Sequence, residues 1–197
     1  MNLASHPVFR ALRSRNYRLF FTGQGLSLIG TWMSQTAVIW LVYQLTNSAL
    51  LLGIVAFSQQ IPNFILSPFA GVMVDRWDRH RTLIVTQVLS MLQSFALAFL
   101  AFTNQIDIAH IIVLSVFQGC VNAFDIPTRQ AFVVELVDRR EDLGNAIALN
   151  SSIFSGARLV GPAIAGLLIA AVGSAVCFTI DGFSYIAVIL GLLAMRI

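Results

Sequence analysis

Between Gly71 and Arg81 the chain reads GVMVDRWDRHR, which sets Asp75, Arg76, Asp78, Arg79, His80 and Arg81 directly behind an apolar run. Charges at this spacing do electrostatic work: the aspartate can sit against a helix N-terminus or an arginine, and the arginines hold the segment outside hydrocarbon. Two further ionisable residues, Arg158 and Asp181, fall inside apolar stretches. A charge there is costly, which makes both candidates for function. Arg158 would suit an anionic or phenolate-bearing ligand or a carboxylate partner such as Asp181; a structural ion pair and a side chain reaching for the membrane surface are the other readings. Gln24, Gln35, Gln118 and Asn122, with Gln59, Gln60 and Asn63, could line the same cavity. Trp32 and Trp40 could stack on a flat ligand or serve as packing and interface anchors.

Other chemistries find no support. Cys120 and Cys177 lie in separate apolar runs and the three histidines stand singly, so neither a disulfide framework nor a metal site is expected. The chain has no nucleophile elbow and no phosphate-cradling glycine loop, and the expectation is a protein that is not an enzyme and takes no cofactor.

The elements that must carry these residues follow from composition. Hydrophobic residues make up 57% and charged ones 11%, with mean hydropathy +0.81, beyond what a water-soluble domain could expose. Six runs approach the roughly 20 residues that a bilayer crossing takes: Leu19–Leu45, Ala49–Val74, Thr82–Phe102, Ile108–Phe124, Ala146–Val172 and Ala175–Met195. They are continuously apolar, unlike barrel strands, so the expected fold is an all-α membrane protein with six transmembrane helices. The first run is too long for a signal peptide and lacks a small-residue cleavage site. Arg158 would lie on the order of 18 Å along the fifth run, close to mid-membrane.

Every basic residue is arginine. Arg10, Arg13, Arg15 and Arg18 precede the first helix, Arg76, Arg79 and Arg81 follow the second, Arg129, Arg139 and Arg140 follow the fourth, and Arg196 follows the sixth. The opposite connections, near Asn47, Asp107 and Gly173, carry none. By the positive-inside bias both termini are cytoplasmic, and the net charge of +3 needs no nucleic-acid partner.

A shift of 94 positions superposes Gln24-Gly25 on Gln118-Gly119, Ser58 on Ser152, Pro68 on Pro162 and Ser90 on Ser184. That one offset lays helices 1–3 on helices 4–6, through a repeat or through shared apolar composition. The expected organisation is a cytoplasmic N-terminus (1–18) and two three-helix units (19–102 and 103–197).

The stretch from Gly71 to Arg81 resembles the major facilitator superfamily signature G-x-L-a-D-r-x-G-r-r/k, matching at Gly71, Asp75, Arg76, Arg79 and Arg81. Met73 replaces the usual leucine, and Asp78 stands where a glycine is common, which bears on the tightness of the turn. The resemblance implies an inner, cytoplasmic gate here, with Gly71 allowing helix 2 a close approach to a neighbour. SGARLVGPAIAGLL on helix 5 is similar to the g-x-x-x-G-P-x-x-G-G element of the superfamily's exporters and antiporters at Gly161, Pro162 and Gly166, with Ala157 and Ala165 at two glycine positions. This favours efflux. The run from Asp125 to Leu168 looks like the exporter branch of enterobactin-type exporters and transmembrane secretion effectors. Its D-x-P-x-R step, Asp125, Pro127 and Arg129, is expected to end helix 4. The resemblance implies a gate pair of Asp75 with Arg129, or a solvated pair of no consequence. Ser115 stands where the family's helix 4 element carries an arginine, so no proton relay is carried over from that position.

Taken together, the resemblance implies one half, a 3+3 inverted repeat, of a secondary-active antiporter in a bacterial inner membrane. It would export small hydrophobic or amphipathic molecules by alternating access against a proton gradient. Its partners would be the small-molecule substrate, membrane lipid and a second six-helix half, in the same chain or in a homodimer. The alternative is a non-transporting membrane interaction protein.

Overall fold

The computed structural model describes residues 11–137 and 140–195. Residues 1–10 of the expected N-terminal segment, including Arg10, lie outside the described residues, as do Arg139 and Arg196. The chain forms α1 (Arg15–Thr46), α2 (Ala49–Val74), α3 (Arg79–Phe102), α4 (Ile108–Glu135), α5 (Leu143–Val172) and α6 (Ser174–Leu193), with one 3-10 turn at Arg140–Asp142. All six helices are long and apolar enough to cross a bilayer, and every element among the described residues is helical. This is the all-α membrane fold expected from composition.

Local chemistry sets the helix ends. Asn47, left-handed at φ 49°, closes α1, and Ser48 caps α2 by accepting from the Leu51 N–H at 3.4 Å. Asp107 accepts the His110 N–H at 2.8 Å, and this bond holds its carboxyl below the usual range. Gly173, at φ 92°, turns α5 into α6 in a single residue, a conformation that a side chain would strain. One expected boundary was wrong. Pro127 does not end α4, which runs on to Glu135. The lost backbone bond is outweighed because this last stretch is packed: Thr128, Phe132 and Val133 are buried. The Thr128 hydroxyl also donates to the Phe124 carbonyl at 2.6 Å.

The helices pack in the spatial order α2, α4, α3, α6, α1, α5, each against the next. Exchanging α1 with α4, α2 with α5 and α3 with α6 returns the same order reversed. Individual contacts obey the same exchange. A side chain on Gly25 of α1 would meet Ile153 of α5, and one on Gly119 of α4 would meet Gln59 of α2. Gly119 follows Gly25 by 94 positions, and Ile153 follows Gln59 by 94.

Two apolar clusters hold the bundle, one at each end. Tyr17, Phe20, Leu83, Phe132 and Leu192 belong to the cluster at the arginine-bearing end, and Met33, Val42, Leu97, Ile111 and Phe178 to the other. Between them, α1, α3, α4 and α6 carry a buried polar layer that includes Gln24, Gln87, Ser90, Ser94, Asp125 and Asp181. Lipid tails are as apolar as leucine, so burying hydrocarbon gives little reason for helices to associate; close backbone approach and these polar contacts supply it. The outer surfaces of α2 and α5 are correspondingly bare. Phe64 is 79% exposed and Leu159 79%.

Candidate functional site

At the arginine-bearing end, Asp75 terminates α2 and the chain turns through Arg76 and Trp77, whose N–H groups both reach the Met73 carbonyl at 3.0 and 3.1 Å. Asp78, at the position where the superfamily commonly has glycine, caps α3 by accepting the Arg81 N–H at 3.0 Å. The turn is therefore tight without that glycine. Arg79, in the first turn of α3, reaches back to Asp75 at 3.4 Å and across to Glu135 at the end of α4. Arg129 pairs with Asp125 one helical turn before it. The Asp125 carboxylate is 2% exposed and accepts from the Thr86 hydroxyl and the Gln87 amide, each at 2.8 Å.

The expected Asp75–Arg129 pair is thus absent. Each member has a partner four residues away on its own side of the gap, which needs no long side-chain excursion. Gly71 also departs from expectation: nothing lies within 4 Å of where its side chain would be, so it brings α2 close to no neighbour in this structure. Glu135, Thr86 and Gln87 went unread in the sequence. Glu135 was hidden by treating Pro127 as a stop; the polar stripe Thr86, Gln87, Ser90 and Ser94, at helical spacing on α3, was the available signal.

Midway along the bundle, Gln118 donates to the Ser90 hydroxyl and to the Asn122 carbonyl oxygen, each at 3.1 Å, and its own buried carbonyl oxygen has no partner. Gln24 is buried and Gln35 half-buried on α1. Arg158 lies exposed about 22 Å along α5, with its guanidinium 5.5 Å from the centroid of the Trp32 ring on α1. Phe154, one turn earlier, meets the same ring edge-on at 5.7 Å. The arrangement is a cation held by an aromatic face, with no carboxylate in ion-pair reach of Arg158 among the described residues. Asp181 is elsewhere. It is 2% exposed between α6, α3 and α1, where the Ser94 hydroxyl donates to one carboxylate oxygen at 2.7 Å. The other oxygen has no hydrogen-bond partner among the described residues. An Arg158–Asp181 pair is therefore not formed, and Asp181 sits within the bundle rather than on the face that carries Arg158.

The helix 5 motif closes on α1 through some of its small residues and not others. Ala157, Gly161 and Ala165 are buried, and a side chain on Gly161 would collide with Trp32 and the Ile29 carbonyl of α1. Gly166 faces open space, and Pro162 is half-buried within α5, which runs on past it to Val172. The contact stripe is therefore alanine, glycine, alanine at four-residue steps.

Comparison with known proteins puts this geometry in context. Residues 7–197 match the model of a family described as transmembrane secretion effector, a branch of the major facilitator superfamily. The staphyloferrin A transporter of Staphylococcus aureus is 33% identical over 174 residues, covering 88% of this chain and 44% of that protein. The multidrug efflux pump Tap of Mycolicibacterium fortuitum is 29% identical over 179 residues, covering 89% and 42%. Macrolide efflux protein A of Streptococcus pyogenes is 29% identical over 157 residues, covering 78% and 38%. The chain spans less than half the length of these relatives.

Proposed function

The chain belongs to the transmembrane secretion effector family, whose members are multi-pass membrane transporters rather than enzymes, and from that premise we propose that it forms one six-helix half of a proton-coupled exporter. The observation that carries this reading is Arg158 on Trp32. A lone guanidinium at mid-span, exposed beside two aromatic rings, is a binding site for an amphipathic molecule with an anionic or phenolate group. In this reading half-buried Gln35 of α1 and Gln118 and Asn122 of α4 supply the cavity's polar groups, while Gln24 stays in the buried layer of the bundle. The cargo class is hydrophobic or amphipathic small molecules, in keeping with relatives named for a siderophore, macrolides and multiple drugs.

In this reading residues 19–102 and 103–197 are two inverted three-helix repeats, which the exchanged packing order supports. The bare faces of α2 and α5 meet a second six-helix unit, and alternating access rocks one unit against the other. The arginine-bearing end faces the cytoplasm, with both chain ends there, in a bacterial inner membrane. The ion pairs of Asp75, Arg79 and Glu135, with Asp125 and Arg129 behind them, form the inner gate, and Gly71, Arg76 and Arg81 belong to its loop. Asp181, buried with one unpartnered oxygen, is the proton-binding group.

The test uses inverted membrane vesicles energised to an acidic lumen, with uptake of staphyloferrin A and of a macrolide as probes. Arg158→Ala is expected to abolish uptake of the anionic probe, and Arg158→Lys to retain a part of it, because lysine keeps the charge but loses the guanidinium's fixed fork of donors. Equal uptake by the wild-type protein and both variants would overturn the site.

A further inference from the structure

A groove of about 660 Å³ opens between the turn at 75–78 and the adjoining faces of α3 and α4, lined by none of the residues of the proposed cavity. Its floor is apolar, built from Val85 and Leu89 of α3 and Phe117, Val121 and Phe124 of α4. It follows α3 from Thr82 to Leu89 and α4 from Phe117 to Phe124, which is about 10 Å along either axis. Its mouth is basic. Arg76 and Arg81 both line it; Arg81 has Asp78 at 3.5 Å, while Arg76 has no ion-pair partner among the described residues. Between mouth and floor the Trp77 ring stacks on Phe124, centroids 6.1 Å apart and planes 17° apart.

A basic rim, an amphipathic ring and an apolar trench follow one another in the order of a phospholipid's own parts. We propose that this groove binds one acidic phospholipid, with its phosphate on Arg76 and Arg81, its ester region against Trp77 and an acyl chain along the trench. Net positive charge at the mouth favours an anionic headgroup over a zwitterionic one, whose own cation would meet the arginines. The inference rests on the chain's place in a membrane and not on the transport reading. It has a structural consequence, because the same turn carries Asp75, so a bound lipid ties that turn to α4.

The test is run on the intact gene product in nanodiscs of phosphatidylglycerol or phosphatidylcholine. Cys120 lines the groove and is partly exposed, whereas Cys177 is fully buried, so alkylation of the Cys120 peptide by N-ethylmaleimide reports on the trench. Alkylation is expected to be slower in phosphatidylglycerol, and native mass spectrometry to retain one molecule of that lipid. Arg76→Gln with Arg81→Gln should weaken retention roughly 25-fold, at about fivefold for each arginine. Arg18→Gln, at the same end but outside the groove, should leave it unchanged. Val85→Trp, which fills the floor at a 56% exposed position and keeps both arginines, should also release the lipid. The proposal is overturned if Cys120 reacts alike in the two lipids, if the double variant and Val85→Trp both keep the lipid, or if Arg18→Gln weakens retention equally.

Discussion

At the scale of single residues, the two aspartates of the proposed gate carry opposite burdens. Asp125 is buried and holds three partners, Thr86, Gln87 and Arg129; Asp125→Ala strands the Gln87 amide and the Arg129 cation, while the Thr86 hydroxyl keeps the Leu83 carbonyl at 2.9 Å. Removing one member of a buried pair costs about 3–5 kcal/mol, and the low end applies here because Arg129 keeps 22% of its side chain exposed. Asp75 has a side chain 76% exposed, and Asp75→Asn should shift stability by no more than about 1 kcal/mol. Thermal unfolding in detergent is expected to separate the two variants clearly, while export falls in both; an Asp125→Ala protein as stable as wild type would remove the buried network from the account. Asp181 allows a cleaner division of structure from coupling. Asn is its isostere and still accepts from Ser94, so Asp181→Asn should fold normally but lose the response of export to an imposed pH gradient. Gradient-driven export that persists in this variant would assign the proton to another group.

At the scale of helices, small residues decide which faces close. A side chain on Gly161 has the Trp32 Cβ and the Ile29 carbonyl in its way, whereas one on Gly166 has open space. Gly161→Leu is therefore expected to pry α5 from α1, costing at least the roughly 1–3 kcal/mol typical of overpacking, and to lose the Arg158–Trp32 contact. Gly166→Leu should leave the isolated bundle as stable as before and act only where another unit docks. Thermal melts of the two variants check this, and equal losses would contradict the assigned face. The sequence foretold which helices exist, because apolar runs of such length have few alternatives in a bilayer, and α2 is expected to the residue at Ala49–Val74. It failed at α4, where proline was read as a stop although packed neighbours kept the helix intact past Pro127. For the same reason the site was legible only by residue type. Asp75, Arg129, Arg158 and Asp181 stand out as charges near or within spans, but which charge meets which depends on helix rotation, and periodicity on so apolar a background does not fix that. The small-residue stripe was legible, because Ala157, Gly161 and Ala165 all stand at glycine positions of the motif, whereas Gly166, also in the motif, faces open space.

At the scale of the whole molecule, the arrangement is polar in one direction and symmetric in another. The exchange of α1–α3 with α4–α6 relates contacts across the bundle, yet charge breaks the symmetry: arginines flank one end, and the connections at 47–48, 103–107 and 173 carry none. Moving such charges across the bilayer is what the positive-inside bias opposes, so the arginine-bearing end should face the cytoplasm. The direction of export depends on that assignment, because the Asp75, Arg79 and Glu135 network closes an inner gate only if it lies inside. Two exposed positions report it. In a Cys120→Ser background, Gln105→Cys lies in the arginine-free connection between α3 and α4, and Glu141→Cys in the 3-10 turn before α5. With a membrane-impermeant maleimide, Gln105→Cys is expected to label in intact cells and Glu141→Cys only after permeabilisation. The reverse pattern would turn the bundle over, make the ion-pair network an outer gate and reverse the expected direction of transport. Labelling of both positions in intact cells would instead break the alternation of six spans on which the repeat itself depends.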